Sequence, residues 1–458
     1  MASSGSKTGT NHFVGIGGSG MSALAQFHAM GGEAVSGSDR LFDRGEMRGL
    51  KARLAEAGIS LFPQDGSGVG PGTRELTVST AIEDSNPDIA AGRALGLRLV
   101  HRTDALADHV AAHRTLAVAG TSGKSTVTAM VYEVLAATGH SPSLITGAPL
   151  VSLEGRGLLG NAYRGTSDFL VIEADESDGT LPKYSPWLGM VLSLGKDHKE
   201  VPELLEMFRR FQGRCRRFVL NADYANLSGL RDGSRTFGFE AGDVRGERLE
   251  LEPQGSRFQV SGVRFEVPFP GRHNAANALA AAAACLEAGV PLEDCSKALA
   301  SFAGVARRFQ LVGTAGGIQV VDDYAHNPDK LRAVLAAGRL RAKRLRVVFQ
   351  PHGFYPTRFM KDELIEAFGA SLRDGDTLWM PDIYYVGGTT VKDISSGHIT
   401  APLKERGLDA RHVPVREDII LEIAAAAQPG DLVLVLGARD PTLSDFARRV
   451  LQKLRSEP

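Results

Sequence analysis

The sequence predicts an α/β chain of three domains, and three observations carry that prediction. A length of 458 residues exceeds what one hydrophobic core supports and fits roughly three domains of about 150 residues each. Twice, an apolar run passes through a glycine-rich turn straight into a helical pattern, at residues 12–21 and 116–130. Strand and helix patterns then alternate towards the end of the chain, as in open parallel sheets covered by helices on both faces. The expected domains are residues 1–110, 111–305 and 306–458.

Composition narrows the class. With 43% hydrophobic and 23% charged residues the chain has the make-up of an ordinary globular protein. A net charge of -1 gives no electrostatic reason for nucleic acid or an anionic membrane as main partner. Cys215, Cys285 and Cys295 are odd in number and lack metal-ligand spacing, which fits a reducing compartment and simple packing. Residues 1–10 lack the apolar core of a secretory signal, and the longest apolar run, residues 278–286, falls well short of a bilayer span. A cytoplasmic location is expected.

The first segment opens with His12-Phe-Val-Gly-Ile-Gly-Gly-Ser-Gly-Met21, a strand entering a helix through Gly15, Gly17, Gly18 and Gly20. Glycines at this spacing allow a tight turn and let a diphosphate approach the helix N-terminus. Some twenty residues later, a second strand ends in Asp39, where a ribose or base contact is expected. The pair favours a diphosphate-bearing ligand, NAD or another; a turn that merely packs helix on strand is the plain alternative.

The second segment holds a phosphate loop: a buried-strand pattern, then Gly120, Thr121, Ser122 and Gly123, then a helix from Lys124, Ser125 and Thr126. Convergent backbone N–H groups and the helix dipole suit a triphosphate, with Lys124 reaching the outer phosphates and Ser125 binding Mg2+. Val118 stands where the general pattern has its first glycine. An apolar strand then emits Glu173, Asp175, Glu176 and Asp178, acids placed where a nucleotide enzyme holds Mg2+. The strand pattern at 189–194 delivers Lys196-Asp-His198; His198 is a candidate second-metal ligand or a plain loop residue. Residues 235–268 have the short alternation of a small antiparallel excursion. His273 and Asn277 follow, one helical turn apart, placed either for an adenine edge or, through His273-Asn274, for a helix cap.

In the third segment three strand patterns end in polar groups: Asp322-Asp-Tyr-Ala-His-Asn-Pro328, Pro351-His-Gly-Phe-Tyr-Pro-Thr-Arg358 and Gly437-Ala-Arg-Asp440. In an open parallel sheet the carboxyl ends of strands line the ligand crevice, so these groups are expected to share a site.

Taken in order, Gly-Ile-Gly-Gly-Ser-Gly-Met, Ser-Gly-Ser-Asp, Gly-Thr-Ser-Gly-Lys-Ser-Thr, Glu-Ala-Asp-Glu-Ser-Asp, His-Asn-Ala-Ala-Asn-Ala, Arg-Arg-Phe, Asp-Asp-Tyr-Ala-His-Asn-Pro and Phe-Gln-Pro-His make the chain resemble the Mur ligases of peptidoglycan synthesis, and within them the alanine-adding branch. The resemblance implies a Rossmann-like N-terminal domain for a UDP-sugar, a central P-loop ATPase-like domain, and a Rossmann-like C-terminal domain for the amino acid. It implies ATP and Mg2+, with UDP-N-acetylmuramate and L-alanine as substrates. Gly15, Gly17, Gly18, Gly20 and Asp39 would serve the UDP-sugar. Residues Gly120 to Thr126 would serve ATP phosphates, with Ser125 and Glu173 on one Mg2+ and His198 on a second. His273 and Asn277 would meet adenine, and Arg308, Asp323 and His326 the nucleotide. Residues 202–211 contain no lysine, whereas other branches carbamylate one in that helix.

The departures cluster in the third segment. Gly353 follows His352 where the alanine branch has arginine, Asn327 replaces a second histidine, and Arg439 replaces a glycine. A substrate carboxylate is best gripped by the planar fork of arginine, which leaves Arg358 and Arg439 as candidates. Two other readings stand beside the leading one. In the first, the same chemistry attaches a different amino acid or a murein peptide. In the second, the chain is a dinucleotide-binding oxidoreductase or sensor, which leaves the phosphate loop unexplained.

Overall fold

The computed structural model describes residues 9–177, 179–195, 200–385 and 391–456. They fall into two compact units, one formed by Met1–Arg245, Leu279–Leu299 and Ala303–Val305, the other by Gly246–Ala278, Ala300–Phe302 and Ala306–Pro458.

The first unit contains two sheets. Strands β1 (Thr10–Val14), β2 (Val35–Ser38), β3 (Ser60–Phe62), β4 (Thr73–Val78) and β5 (Arg98–His101) pair in parallel in the order β3-β2-β1-β4-β5. The order turns at β1, so a crevice opens at its carboxyl end, where the glycine turn follows. Gly15 has φ +77°, and a Cβ there would lie 2.7 Å from Ile82 Cδ1, so both conformation and space call for glycine.

The second sheet comprises β6 (Arg114–Ala119), β7 (Ser143–Ile145), β8 (Ala162–Tyr163), β9 (Phe169–Glu173), β10 (Leu188–Val191), β11 (Arg217–Asn221) and β12 (Arg235–Gly238). Its order is β12-β11-β10-β6-β9-β7-β8, parallel except for β8 against β7. The apolar runs that form β6, β9 and β10 are buried along nearly their whole length, as parallel strands covered on both faces require. The two sheets share one core, in which Leu24 and Phe27 of the helix Ser19–Met30 join Ala117, Leu170 and Ile172. Asn161 ties that helix down: it accepts from Gln26 Nε2 at 2.8 Å and donates to Ser19 O and Ser22 Oγ, both at 3.1 Å. Both glycine turns are therefore mounted on one packed body.

The antiparallel excursion begins later than the sequence pattern indicates. β12 pairs in parallel with β11, and Phe237 is buried like any central-strand residue. β13 (Val244–Glu252) starts parallel to β12 and turns antiparallel only where it meets β14 (Gly255–Val260), which in turn pairs with β15 (Val263–Val267). Burial on one face and exposure on the other sets in along β13, and that half-buried state is what lets a strand leave a covered sheet.

The second unit holds the β13–β14–β15 hairpins and a six-stranded sheet of β16 (Gln310–Ala315), β17 (Ile318–Asp323), β18 (Leu345–Gln350), β19 (Thr377–Met380), β20 (Asp409–His412) and β21 (Leu432–Gly437). The order is β16-β17-β21-β18-β19-β20, with β16 antiparallel to β17 and the rest parallel. β18 and β21 are buried throughout, between one core with Leu335 and Phe368 and another with Phe446 and Val450. No helix of the described residues is long and apolar enough to cross a membrane.

Candidate active site

The phosphate loop leaves β6 at Ala119 and enters the helix Lys124–Ala137. Gly120 has φ +127°, and a Cβ there would lie 3.0 Å from the backbone nitrogens of Leu192 and Ser193, because the end of β10 runs beside it. Ser193 pins the loop: its Oγ accepts from Ser122 N at 2.8 Å, and its carbonyl accepts from Thr121 N at 3.2 Å. Thr121 Oγ1 in turn accepts from Gly195 N at 3.0 Å.

Parallel register places the acids beside this loop. Val118 pairs with Glu173, so the chain beyond β9 emerges next to the helix N-terminus. Ser125 Oγ donates to Glu173 Oε1 at 3.0 Å, while Glu173 Oε2 accepts from Thr146 Oγ1 at 2.9 Å and Gly147 N at 3.0 Å. Lys124 donates to both oxygens of Glu176, at 3.0 and 2.8 Å, and lies 3.7 Å from Asp175. Burial works against the lysine's charge, but Glu176, Asp175 and Glu173 outweigh it and hold the ammonium well above its ordinary range. Asp175 is also opposed by burial, yet Lys124 and the Ser177 hydrogen bonds keep its carboxyl below the usual range.

The residues present fit Mg2+. Ser125 Oγ and Glu173 Oε1 are hard oxygens close together, the donor type that Mg2+ takes while keeping several waters. Among the described residues no three His, Cys, Asp or Glu side chains are placed together to hold a metal ion. His198 and Asp178 lie outside the described residues.

At the first glycine turn, Asp39 is engaged by backbone: Oδ2 accepts from Gly17 N and Oδ1 from Leu41 N, both at 2.9 Å. Its carboxylate thus braces the turn and caps a short helix. A residue that the sequence reading missed stands beside it. Arg102, first in the helix Arg102–Ala112, lays its guanidinium over Gly20, and its charge also helps depress Asp175. The first glycine turn therefore carries a cation that no local motif announces, and its charge reaches the acid that follows β9.

In the second unit, the carboxyl ends of β17, β18 and β21 come together. Asp323 pairs in register with Leu436, and Gln350 with Gly437. The rings of His326 and His352 lie 5.5 Å apart, and Tyr324 packs edge-on against His326 at 5.6 Å. Asp323 is pushed up by burial, against the pull of Arg308, and accepts from Phe309 N at 2.6 Å and Ala325 N at 2.7 Å. Arg308 sits 4.7 Å over the Tyr324 ring. His273 and Asn277 lie one turn apart in the helix Arg272–Ala288, and burial takes the His273 imidazole down to about 4, so it is neutral. The capping alternative is not what forms, since Asn274 Nδ2 donates to Pro270 O at 2.8 Å.

Arg358 is placed differently from expectation. The lengthened turn is a helix, Phe354–Phe359, and Arg358 in it pairs with Asp393 and donates to Val391 O at 2.9 Å. The fork is not free, because the helix directs the side chain towards residues 391–393.

Three family models match the chain in order: the catalytic domain of the Mur ligase family over residues 10–114, the Mur ligase middle domain over 118–285, and the Mur ligase glutamate ligase domain over 307–439. A UDP-N-acetylmuramate-L-alanine ligase of Streptomyces avermitilis is 36% identical over 97% of each chain, and one of Cyanothece is 34% identical over 95% of this chain and 94% of its own. The chain belongs to the Mur ligase family. Among solved structures, the UDP-N-acetylmuramate-alanine ligase of Thermotoga maritima superposes with a TM-score of 0.81 at 27% identity, covering 98% of this chain and all of the other. A murein peptide ligase of Psychrobacter arcticus shares the fold, with a TM-score of 0.70 at 22% identity. Mur ligases are ATP-dependent ligases, and the loop at Lys124 lies within the match to the Mur ligase middle domain. The helix Val201–Gln212 contains no lysine, as the sequence indicated for the alanine-adding branch.

Proposed function

We propose that this Mur ligase joins L-alanine to the carboxylate of UDP-N-acetylmuramate, releasing ADP and phosphate, in the cytoplasmic synthesis of peptidoglycan precursors. The observation that carries the reading is the convergence of Lys124, Ser125 and Glu173 at a loop of Mur ligase sequence, supported by alanine-adding relatives matched along nearly the whole chain. The three-part division at residues 1–110, 111–305 and 306–458 follows the same proposal.

In the first half-reaction the muramate carboxylate forms an O–P bond to the ATP γ-phosphorus as the bond to ADP breaks. In the second, the alanine nitrogen forms the C–N bond, loses a proton, and phosphate departs with the C–O electron pair. Lys124 would steady the transferring phosphoryl group, and the Thr121–Lys124 backbone would orient it. Ser125 and Glu173 would hold Mg2+, which when bound neutralises phosphate charge that would otherwise repel an anionic nucleophile. Gly15–Gly20 is assigned to the UDP diphosphate, with Asp39 bracing the turn. For His273, Asn277, Arg308, Asp323 and His326 the family resemblance proposes nucleotide contacts, and for His198 a second Mg2+.

Phosphate release by the purified chain tests this. Release is expected with UDP-N-acetylmuramate, ATP and L-alanine together, and not when any one is withheld. Release with a murein tripeptide but not with L-alanine would transfer the assignment to the peptide-attaching reading.

A further inference from the structure

The carboxyl edge of the six-stranded sheet is rich in arginine, and most of those charges are already matched. Arg307 donates to Asp322 Oδ1 at 3.3 Å and to Gly437 O at 2.8 Å. Arg416 pairs with Asp440 and donates to Thr442 Oγ1 at 2.7 Å. Arg358 pairs with Asp393, and Arg308 faces Asp323 across the Tyr324 ring. Arg439 differs. It is exposed, and among the described residues its guanidinium has no hydrogen bond or ion pair; only its backbone N–H is engaged, by Tyr324 Oη at 3.3 Å.

Its backbone is equally unusual. Arg439 holds φ +59°, in the left-handed region where a Cβ is penalised and glycine is the default. The turn has little freedom to relax, since Arg307 bonds Gly437 O and Asp440 O on either side of Arg439 and Asp440 is buried against Arg416. A rigid, strained turn thus presents an unmatched planar cation at the sheet edge where a ligand crevice opens. The nearby acids, Asp322, Asp323 and Asp440, are turned to partners of their own and leave the cation's charge uncancelled.

We infer that Arg439 is a specificity-determining residue that grips the free carboxylate of the amino-acid substrate. The inference rests on the ligase reading and deepens it: the phosphates of ATP and of the UDP-sugar are assigned to the two glycine turns of the first unit, and the anion assigned to Arg439 is the carboxylate that survives amide formation. A guanidinium binds both carboxylate oxygens at once, whereas an ammonium does not.

Steady-state kinetics of Arg439→Gly and Arg439→Lys, with L-alanine and L-alaninamide, tests it. Arg439→Gly is expected to raise the L-alanine KM roughly 10-fold or more while the KM values for ATP and UDP-N-acetylmuramate stay within about 2-fold. Glycine suits the positive φ, so its melting temperature is expected not to fall. L-Alaninamide has no carboxylate, so the preference for L-alanine over the amide should shrink in the glycine variant. Arg439→Lys should change in the same direction by less, and it keeps the test informative if glycine disturbs the turn. An unchanged L-alanine KM in both variants overturns the role of Arg439 and leaves the ligase assignment intact. A wild-type chain that releases no phosphate with L-alanine overturns the ligase reading and this inference with it.

Discussion

Lys124 Nζ bridges both carboxylate oxygens of Glu176 and the carbonyl of Gly120, so all three of its donors are used within its own chain. A phosphate oxygen reaches this lysine only by displacing one of them. Glu176 is buried, and without the lysine its charge would be stranded.

Lys124→Ala is therefore expected to do two separable things. Turnover should fall by at least roughly 100-fold, since a cation aimed at a transferring phosphoryl group contributes about 3 kcal/mol or more. Stability should fall as well, and adding Glu176→Gln should restore the stability but not the turnover. Binding of UDP-N-acetylmuramate should stay within a few fold, because the glycine turn proposed for it lies on the other sheet of the unit. Near-normal kcat in the single variant removes Lys124 from the phosphate site.

For Glu173→Gln the expected signature is a defect that raised Mg2+ partly repairs. A glutamine oxygen can keep the contacts to Thr146 and Gly147, so the fold is retained while the charge beside Ser125 is lost. Fewer charged oxygens lower metal occupancy. A defect that is flat across a Mg2+ titration would instead mark Glu173 as a brace for the 146–147 turn.

Ser193→Ala tests preorganisation of the loop. Removing Oγ leaves Ser122 N without its partner, a loss of about 1–3 kcal/mol if the group stays dry. The ATP KM should rise several-fold, and the L-alanine KM should hold. Equal changes in both would show that the substitution disturbs more than the loop.

The glycine turns are legible in the sequence because strand, glycine and helix are local signals: Gly15 and Gly120 sit where a chain must bend tightly beside other backbone. Register then makes Glu173 legible, since an acid at the end of an apolar strand must emerge at a sheet edge. Ser193, Asn161 and the pairing of Glu176 with Lys124 act across long stretches of chain, so they become visible only once sheet order sets β10 and β9 on either side of β6 and packs the helix Ser19–Met30 against the second sheet. Arg102 is hidden for the same reason. The direction of Arg358 is hidden for another: its distance from His352 along the chain says nothing of where the side chain goes, and a helical turn brings its fork to Asp393. The late start of the antiparallel strands shows a third limit, because short alternation in β12 is outweighed by burial of Phe237.

The last prediction concerns pH. His109, on the helix Arg102–Ala112, puts Nε2 3.1 Å from His28 Nε2, with the Phe27 ring edge-on and His113 beyond. Burial, then the charges of His28, His113 and Arg164, push its imidazole down to about 3 against a weaker pull from Glu33. The unfolded chain binds that proton near pH 6.5, so the folded state is favoured fully above that pH and loses stability as pH falls towards 3. Between pH 7 and 5 the loss from His109 should be about 2 kcal/mol, and His273, held near 4 by burial, adds a loss of the same sign. Glu133, Glu154, Glu176 and Asp323, whose carboxyls burial pushes up, act with the opposite sign, so the comparison of variant with parent is what isolates His109. His109→Gln, whose amide can still donate towards His28, should shrink the loss of unfolding free energy between pH 7 and 5, measured in urea, by about 2 kcal/mol. A loss equally large in the variant would place the acid sensitivity elsewhere.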